Sequence, residues 1–166
     1  MKKLLLIIAL ALTTGLAYGQ NPFPKGRTQL NIGIGLSDWG VPIYFGIDRG
    51  VGSDFSLGGE LSFRTHRHRS TGSHSITGIA GNANYHFNRI LEINDDWDFY
   101  AGVNLGFYIW PSNDEYDEFH GNQSSDLGLG AQIGARYYFT EKVGINLEFG
   151  SGNAFSGGKV GVTIKI

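Results

Sequence analysis

The chain has 166 residues, with 26 Gly, 3 Trp, 8 Tyr and 11 Phe, only 4 Pro and no Cys. Charged residues make up 17% and the net charge is −2, against about a quarter charged in an average domain. These numbers exclude a disulfide framework and thiolate metal sites, argue against a disordered chain, and give no basic surface for nucleic acid.

Residues 1–20 read MKKLLLIIALALTTGLAYGQ. Lys2 and Lys3 precede an unbroken apolar run from Leu4 to Leu12, and Ala17 and Gly19 are small residues of the kind found before a cleavage site. The run is too short to span a bilayer as a helix, so residues 1–19 are expected to be a secretory signal peptide and residues 20–166 the mature domain. No later segment is long and apolar enough for a membrane helix.

From about Thr28 the dominant period is two. Leu30, Ile32, Ile34 and Leu36 come first, then Val41, Ile43, Phe45 and Ile47. Phe55, Leu57, Leu61 and Phe63 follow, and Ile79, Ala83, Tyr85 and Phe87 form a weaker fourth set. The fifth runs without a break through Trp97, Phe99, Ala101, Val103, Leu105, Phe107 and Ile109. The last three are Leu127 to Phe139, Val143 to Phe149, and Val160 to Ile166. Strict alternation is the signature of a strand with two unlike faces, so eight strands are expected. The expected connections are Ser37–Gly40, Asp48–Asp54, Thr65–Ser75, Asn88–Asp96, Pro111–Asp126, Thr140–Lys142 and Ser151–Gly158. The two longest, Thr65–Ser75 and Pro111–Asp126, fall at the same end of an up-and-down meander, and the shortest falls at the other. Transmembrane barrels have this asymmetry.

A soluble secreted barrel that binds a ligand would put the apolar phase inside and charges outside. Here the polar phase of the later strands is mostly Gly, Asn and Gln, with few charges, which is poor material for a water-facing surface. Aromatic residues gather near strand ends, as interfacial anchoring asks. The expected fold is therefore all-β: a closed antiparallel up-and-down transmembrane barrel of eight strands, apolar toward lipid and polar within.

The signal peptide, the eight strands and the strand that ends the sequence resemble the small outer-membrane β-barrels of Gram-negative bacteria, the OmpA/OmpX type. The small residues and Gln at the end of the signal are similar to those of exported proteins of Bacteroidota. The resemblance implies the outer membrane as location, lipid and lipopolysaccharide as surroundings, and the barrel-insertion machinery as a partner in biogenesis. That family usually closes on an aromatic residue; this sequence closes on Ile166.

Glu60, Arg64, Arg136, Glu148 and Lys165 all lie on the inward phase, with His86 and Tyr100, and with Asn82, Asn84 and Asn104. An eight-stranded interior is just wide enough to be filled by side chains. A paired polar network plugging the lumen is expected, and a small or gated channel lined by the same groups is the alternative. At the loop end, His66, Arg67, His68 and Arg69 form a basic run, and Asp114, Glu115, Asp117, Glu118 and His120 an acidic one. Loops on a rigid scaffold commonly carry function, so these residues are candidates for binding an extracellular protein or glycan. No spacing among them marks a metal site, and no cofactor is expected. Some barrels of this size modify lipid A, using His with Ser and an acidic residue. The neighbours here are Ser73, His74 and Ser75, in a loop with no evident acidic partner, while Ser151, Gly152 and Asn153 lie near a strand end and lack a His on the same strand. A non-enzymatic structural or surface-binding role is the reading the sequence favours.

Overall fold

A computed structural model describes residues 22–166 apart from 38–39, 69–71, 110–125 and 153–155. The candidate signal segment, Arg69 and the acidic run from Asp114 to His120 lie outside the described residues. Eight strands follow one another: β1 (Thr28–Ser37), β2 (Ile43–Gly50), β3 (Phe55–His68), β4 (Gly72–His86), β5 (Trp97–Ile109), β6 (Asp126–Tyr138), β7 (Val143–Gly152) and β8 (Ser156–Lys165). Each pairs antiparallel with the next, and β8 returns to β1 to close the barrel. Closure satisfies the backbone groups that an open sheet would expose to hydrocarbon.

The alternation sorts radially as expected. Most large outward side chains are exposed, Leu36 the most at 69%, and others such as Leu61 and Tyr85 are half-buried. Inward positions on β5 to β8 hold Asp98, Tyr100, Gln132, Arg136, Asn146, Glu148 and Thr163, all buried. A soluble barrel, apolar within, is thereby overturned: the lumen is polar and the lipid-facing surface apolar. At the turn end, outward aromatic rings meet across strands. Trp97 stacks on Phe99 with centroids 5.5 Å apart and tilts against Tyr137 at 4.8 Å, while Tyr85 makes edge contacts with Phe55 and Phe87. Such rings are at home at a membrane interface.

Three of the expected connections prove shorter. β2 continues through Asp48 to Gly50, because Asp48 turns inward and finds a cationic partner there. β3 runs on to His68 and β4 starts at Gly72, pairing Thr65 with Ser75, His66 with His74, Arg67 with Ser73 and His68 with Gly72. The stretch from Thr65 to Ser75 is therefore mainly hairpin, and only residues 69–71 are left between the strands. Likewise β7 reaches Gly152 and β8 begins at Ser156, so that Glu148 lies opposite Lys159. Strand beyond the hydrocarbon has no lipid-facing phase to keep apolar, so its alternation is absent although its backbone pairing persists.

Before β1, residues 22–27 cross the turn end. Gly26 N donates to Gly50 O (2.8 Å), Gly50 N donates to Arg27 O (3.0 Å), and Arg27 N closes a turn onto Pro24 O (3.1 Å). Gly26 takes φ = 88°, a left-handed conformation that favours glycine. Phe23 at the head of this segment is fully buried.

Candidate functional site

The lumen is organised in two levels. The lower one, toward the turns, centres on Arg136 of β6. Its Nη1 donates to Asp98 Oδ2 and its Nη2 to Asp48 Oδ2, both at 2.8 Å, and its guanidinium lies 4.1 Å from the centre of the Tyr100 ring. Asp48 also accepts from Asn31 Nδ2 (2.9 Å). The Gln29 amide, with its oxygen toward Arg136 Nε (3.0 Å) and Thr163 Oγ1 (3.0 Å), donates to Tyr138. Lys165 places Nζ 3.3 Å from the centre of the Tyr138 ring. These charges are almost wholly removed from solvent, so their pairing is obligatory.

Asp98 has a second partner. Its Oδ1 lies 2.7 Å from His86 Nδ1, and His86 Nε2 lies 2.9 Å from Ser56 Oγ. Ser, His and Asp in this order have the hydrogen-bond geometry of a nucleophilic triad. All three are fully buried, and the Phe23 ring lies 5.8 Å from His86. Among the described residues, none of the three presents surface to a substrate. The His–Ser neighbours considered from the sequence, at 73–75, are separate from this set, as is Ser151, which is exposed at the loop end of β7.

The upper level centres on Lys159 of β8. Its Nζ lies 2.7 Å from both Glu60 Oε2 and Glu148 Oε1. Tyr100 Oη donates to Glu148 Oε2 (2.8 Å) and so ties the two levels together. Tyr44 and Asn146 bond across the lumen, and Gln132 joins Asn84 (2.7 Å) and Asn104 (3.0 Å). Arg64 faces the Tyr108 ring at 5.8 Å. A cavity of about 40 Å³, lined among others by Ser62, Arg64, Tyr108 and Lys159, occupies the loop-end part of this level, and one of about 10 Å³ lies deeper.

All seven lumen candidates from the sequence, Glu60, Arg64, His86, Tyr100, Arg136, Glu148 and Lys165, point inward. They do not form one cluster: Arg136, His86 and Tyr100 belong to the lower level, with Lys165 near them on Tyr138, while Glu60, Glu148 and Arg64 belong to the upper. Three members of the network, Asp48, Asp98 and Lys159, are not among the sequence candidates. Two carboxylates against three cations becomes four against four among the described residues: Asp48, Glu60, Asp98 and Glu148 with Arg64, Arg136, Lys159 and Lys165. Asp48 had been given to a turn and Lys159 to a strand start. Their phase relative to Gly46 and Gly161 was the available signal. Among the described residues, no group of His, Asp and Glu could hold a metal ion. His66, Arg67 and His68 sit on the hairpin end of β3, opposite His74, Ser73 and Gly72 in turn.

Outside the spanning strands, one turn-end ion pair is well defined. Arg89 donates through Nε to both carboxylate oxygens of Asp54, at 3.0 and 3.1 Å, and through Nη2 to Oδ2. These bonds hold the Asp54 carboxyl below its ordinary 3.8.

The sequence matches no curated protein. The barrel is similar in fold to the N-terminal β-barrel domain of Pseudomonas aeruginosa OprF, at a TM-score of 0.58 and 16% identity, covering 86% of this chain and 98% of that one. It is also similar to OprG of Pseudomonas aeruginosa, at a TM-score of 0.57 and 12% identity, covering 88% and 99%. A third likeness is to Yersinia pestis Ail in complex with the heparin analogue sucrose octasulfate, at 0.51 and 14%, covering 86% and 99%. Residues 5–163 match the family model described as outer membrane protein beta-barrel domain. With its apolar outer wall, polar lumen and closed ring of strands, the chain belongs to the outer membrane protein beta-barrel family.

Proposed function

We propose that this outer-membrane barrel is non-enzymatic and works at the cell surface through its loop-end segments, its lumen closed to through-flow. The observation that carries this reading is the bridging of the lumen by Arg136 and Lys159, each held between two carboxylates. An eight-stranded interior has little room beyond such side chains, which leaves the loop end as the place for recognition.

There, His66, Arg67 and His68 end β3 in its hairpin with β4, with Arg69 next in sequence, and the acidic run Asp114 to His120 belongs to the longest connection. Clustered Arg and His suit sulfate or phosphate groups, so an anionic glycan, including lipopolysaccharide, is the proposed ligand class. The likeness to Ail in complex with sucrose octasulfate makes that compound a natural first probe. The refolded barrel is expected to bind it, and Arg67→Gln with Arg69→Gln to abolish binding while leaving the heat-modifiable gel band intact. A wild-type barrel with no affinity for the probe, or a double variant that binds unchanged, would sink the glycan reading.

A small channel is the second reading, favoured by the cavities in the lumen. Planar-bilayer recording separates the two. Silence in the wild type and in Arg136→Ala rejects the channel, whereas steady wild-type conductance rejects a closed lumen. The non-enzymatic assignment rests on the enclosure of Ser56, His86 and Asp98, and lipid A whose mass spectrum changes with expression of the protein would overturn it.

A further inference from the structure

The lumen is polar along most of its length, and buried apolar side chains join it only toward its two ends. Pro22 and Phe23 are buried at the turn end, and Pro42 and Ile76 toward the loop end. Between them the larger buried side chains are polar, charged or tyrosine. Pro42 borders the 40 Å³ cavity with Arg64 and Tyr108. Phe23, by contrast, lies among groups with no free surface: its ring faces His86, and Ser56 and Asp98 behind His86 are fully buried.

The segment carrying Phe23 is held in place by the backbone bonds to Gly50 described above, and it crosses Gly50 closely. A Cβ at Gly50 would overlap Pro24 O and come within 3.1 Å of Phe23 O. The φ of Gly50 is not positive, so the backbone does not itself require glycine there; the crossing segment does. Gly50 pairs with Ser56 across β2 and β3, so the strap passes over the strand position next to the buried hydroxyl.

We propose that residues 22–27 are a stopper for the turn-end mouth, seated by Phe23, so that the lumen meets solvent at its loop end alone. Removing polar groups from water requires that every one be bonded, and the Ser56–His86–Asp98 chain meets this condition beneath the phenyl ring. A hydrocarbon ring at a constriction excludes water and ions even where the gap would admit them. The two mouths are thus unequal: a small ligand could enter the upper cavity and could not pass beyond the lower level. This inference is independent of the loop-end ligand proposed above.

The chain contains no Cys, so a single introduced thiol reports cleanly. Ser56→Cys, in the full chain folded in lipid vesicles, is expected to react slowly with N-ethylmaleimide. Adding either Phe23→Ala or Gly50→Ala should raise the labelling rate about tenfold or more by opening the mouth. Phe23→Leu, which keeps an apolar seat, should stay protected. Ser62→Cys, in the upper cavity, should label at a rate that neither substitution changes. All rates are read on the folded, heat-modifiable fraction. Fast labelling of Ser56→Cys with Phe23 in place, failure of either substitution to accelerate it, or a parallel rise at Ser62→Cys would overturn the stopper.

Discussion

Arg136 and Asp48 are bonded across the full width of the barrel. They stand on β6 and β2, four strands apart in a closed ring of eight, and their side chains meet at 2.8 Å. Asp98 on neighbouring β5 takes the other side of the guanidinium. The pair therefore works as a strut between opposite walls, which neighbouring-strand hydrogen bonds cannot be. Arg136→Met would leave the buried Asp48 and Asp98 carboxylates without the cation they share. The expected loss is about 3–5 kcal/mol, read as a lowered urea midpoint in vesicles. Asp48→Asn added to Arg136→Met should recover part of it. An unchanged midpoint for the single variant would show that the strut bears no energy.

The turn-end pair of Arg89 and Asp54 sets a pH signature. Arg89 is 65% exposed, so solvent screens the pair and its share of stability is small. Its sign is nonetheless fixed. The folded carboxyl titrates below its ordinary 3.8, so the contribution is fully present above that value and is lost as pH falls through the folded pKa. Arg89→Gln should weaken the barrel slightly at neutral pH, and the gap from wild type should vanish in strong acid. A gap that persists in acid would mean that Arg89 acts other than through the Asp54 carboxylate.

Depth along the outer wall should be readable by substitution. Val103 lies at the middle of β5 and is 57% exposed on the lipid side, while Phe99 lies four residues nearer the turn end. Val103→Arg should cost about 2–4 kcal/mol in vesicle unfolding, and Phe99→Arg distinctly less. Equal costs would contradict the placement of the bilayer midplane near Val103.

Gly134 and Tyr100 are paired across β5 and β6, and a Cβ at Gly134 would overlap the phenol ring. That ring can neither tilt nor leave freely, since it covers Arg136 and bonds Glu148. Gly134→Ala is expected to cost about 1–3 kcal/mol by overpacking. With Tyr100→Leu already present, the same substitution should cost much less. Strict additivity in this double-mutant cycle would place the conflict elsewhere.

The barrel was legible from the sequence because lipid imposes one rule along every spanning strand. Trp97 to Ile109 shows it without exception, and its register with β4 and β6 keeps the outward residues side by side. Where lipid stops, legibility stops too. His66 to His68 are strand by their backbone pairing, yet the hairpin end of β3 carries no apolar phase in its sequence. The lumen was half legible. Phase identifies which residues point inward, so Glu60, Arg136 and Glu148 could be named. Their partners depend on which strands face one another across the interior, as β2 faces β6, and no local pattern carries that. Phe23 was invisible for a related reason: a segment held by three backbone hydrogen bonds has no period to read.

The seam between the first and last strands has a consequence in time. Gln29 pairs with Lys165, and the amide of Ile166 bonds Thr28 O at 2.9 Å. The strand synthesised earliest therefore lacks one of its two neighbours until the end of β8 has been made and delivered. A sheet of seven strands in water would carry two unsatisfied edges, and each is a template for another chain. Assembly of this barrel is thus all-or-nothing with respect to β8: the ring cannot shut until that strand arrives, and the open edges must be kept from other chains until then.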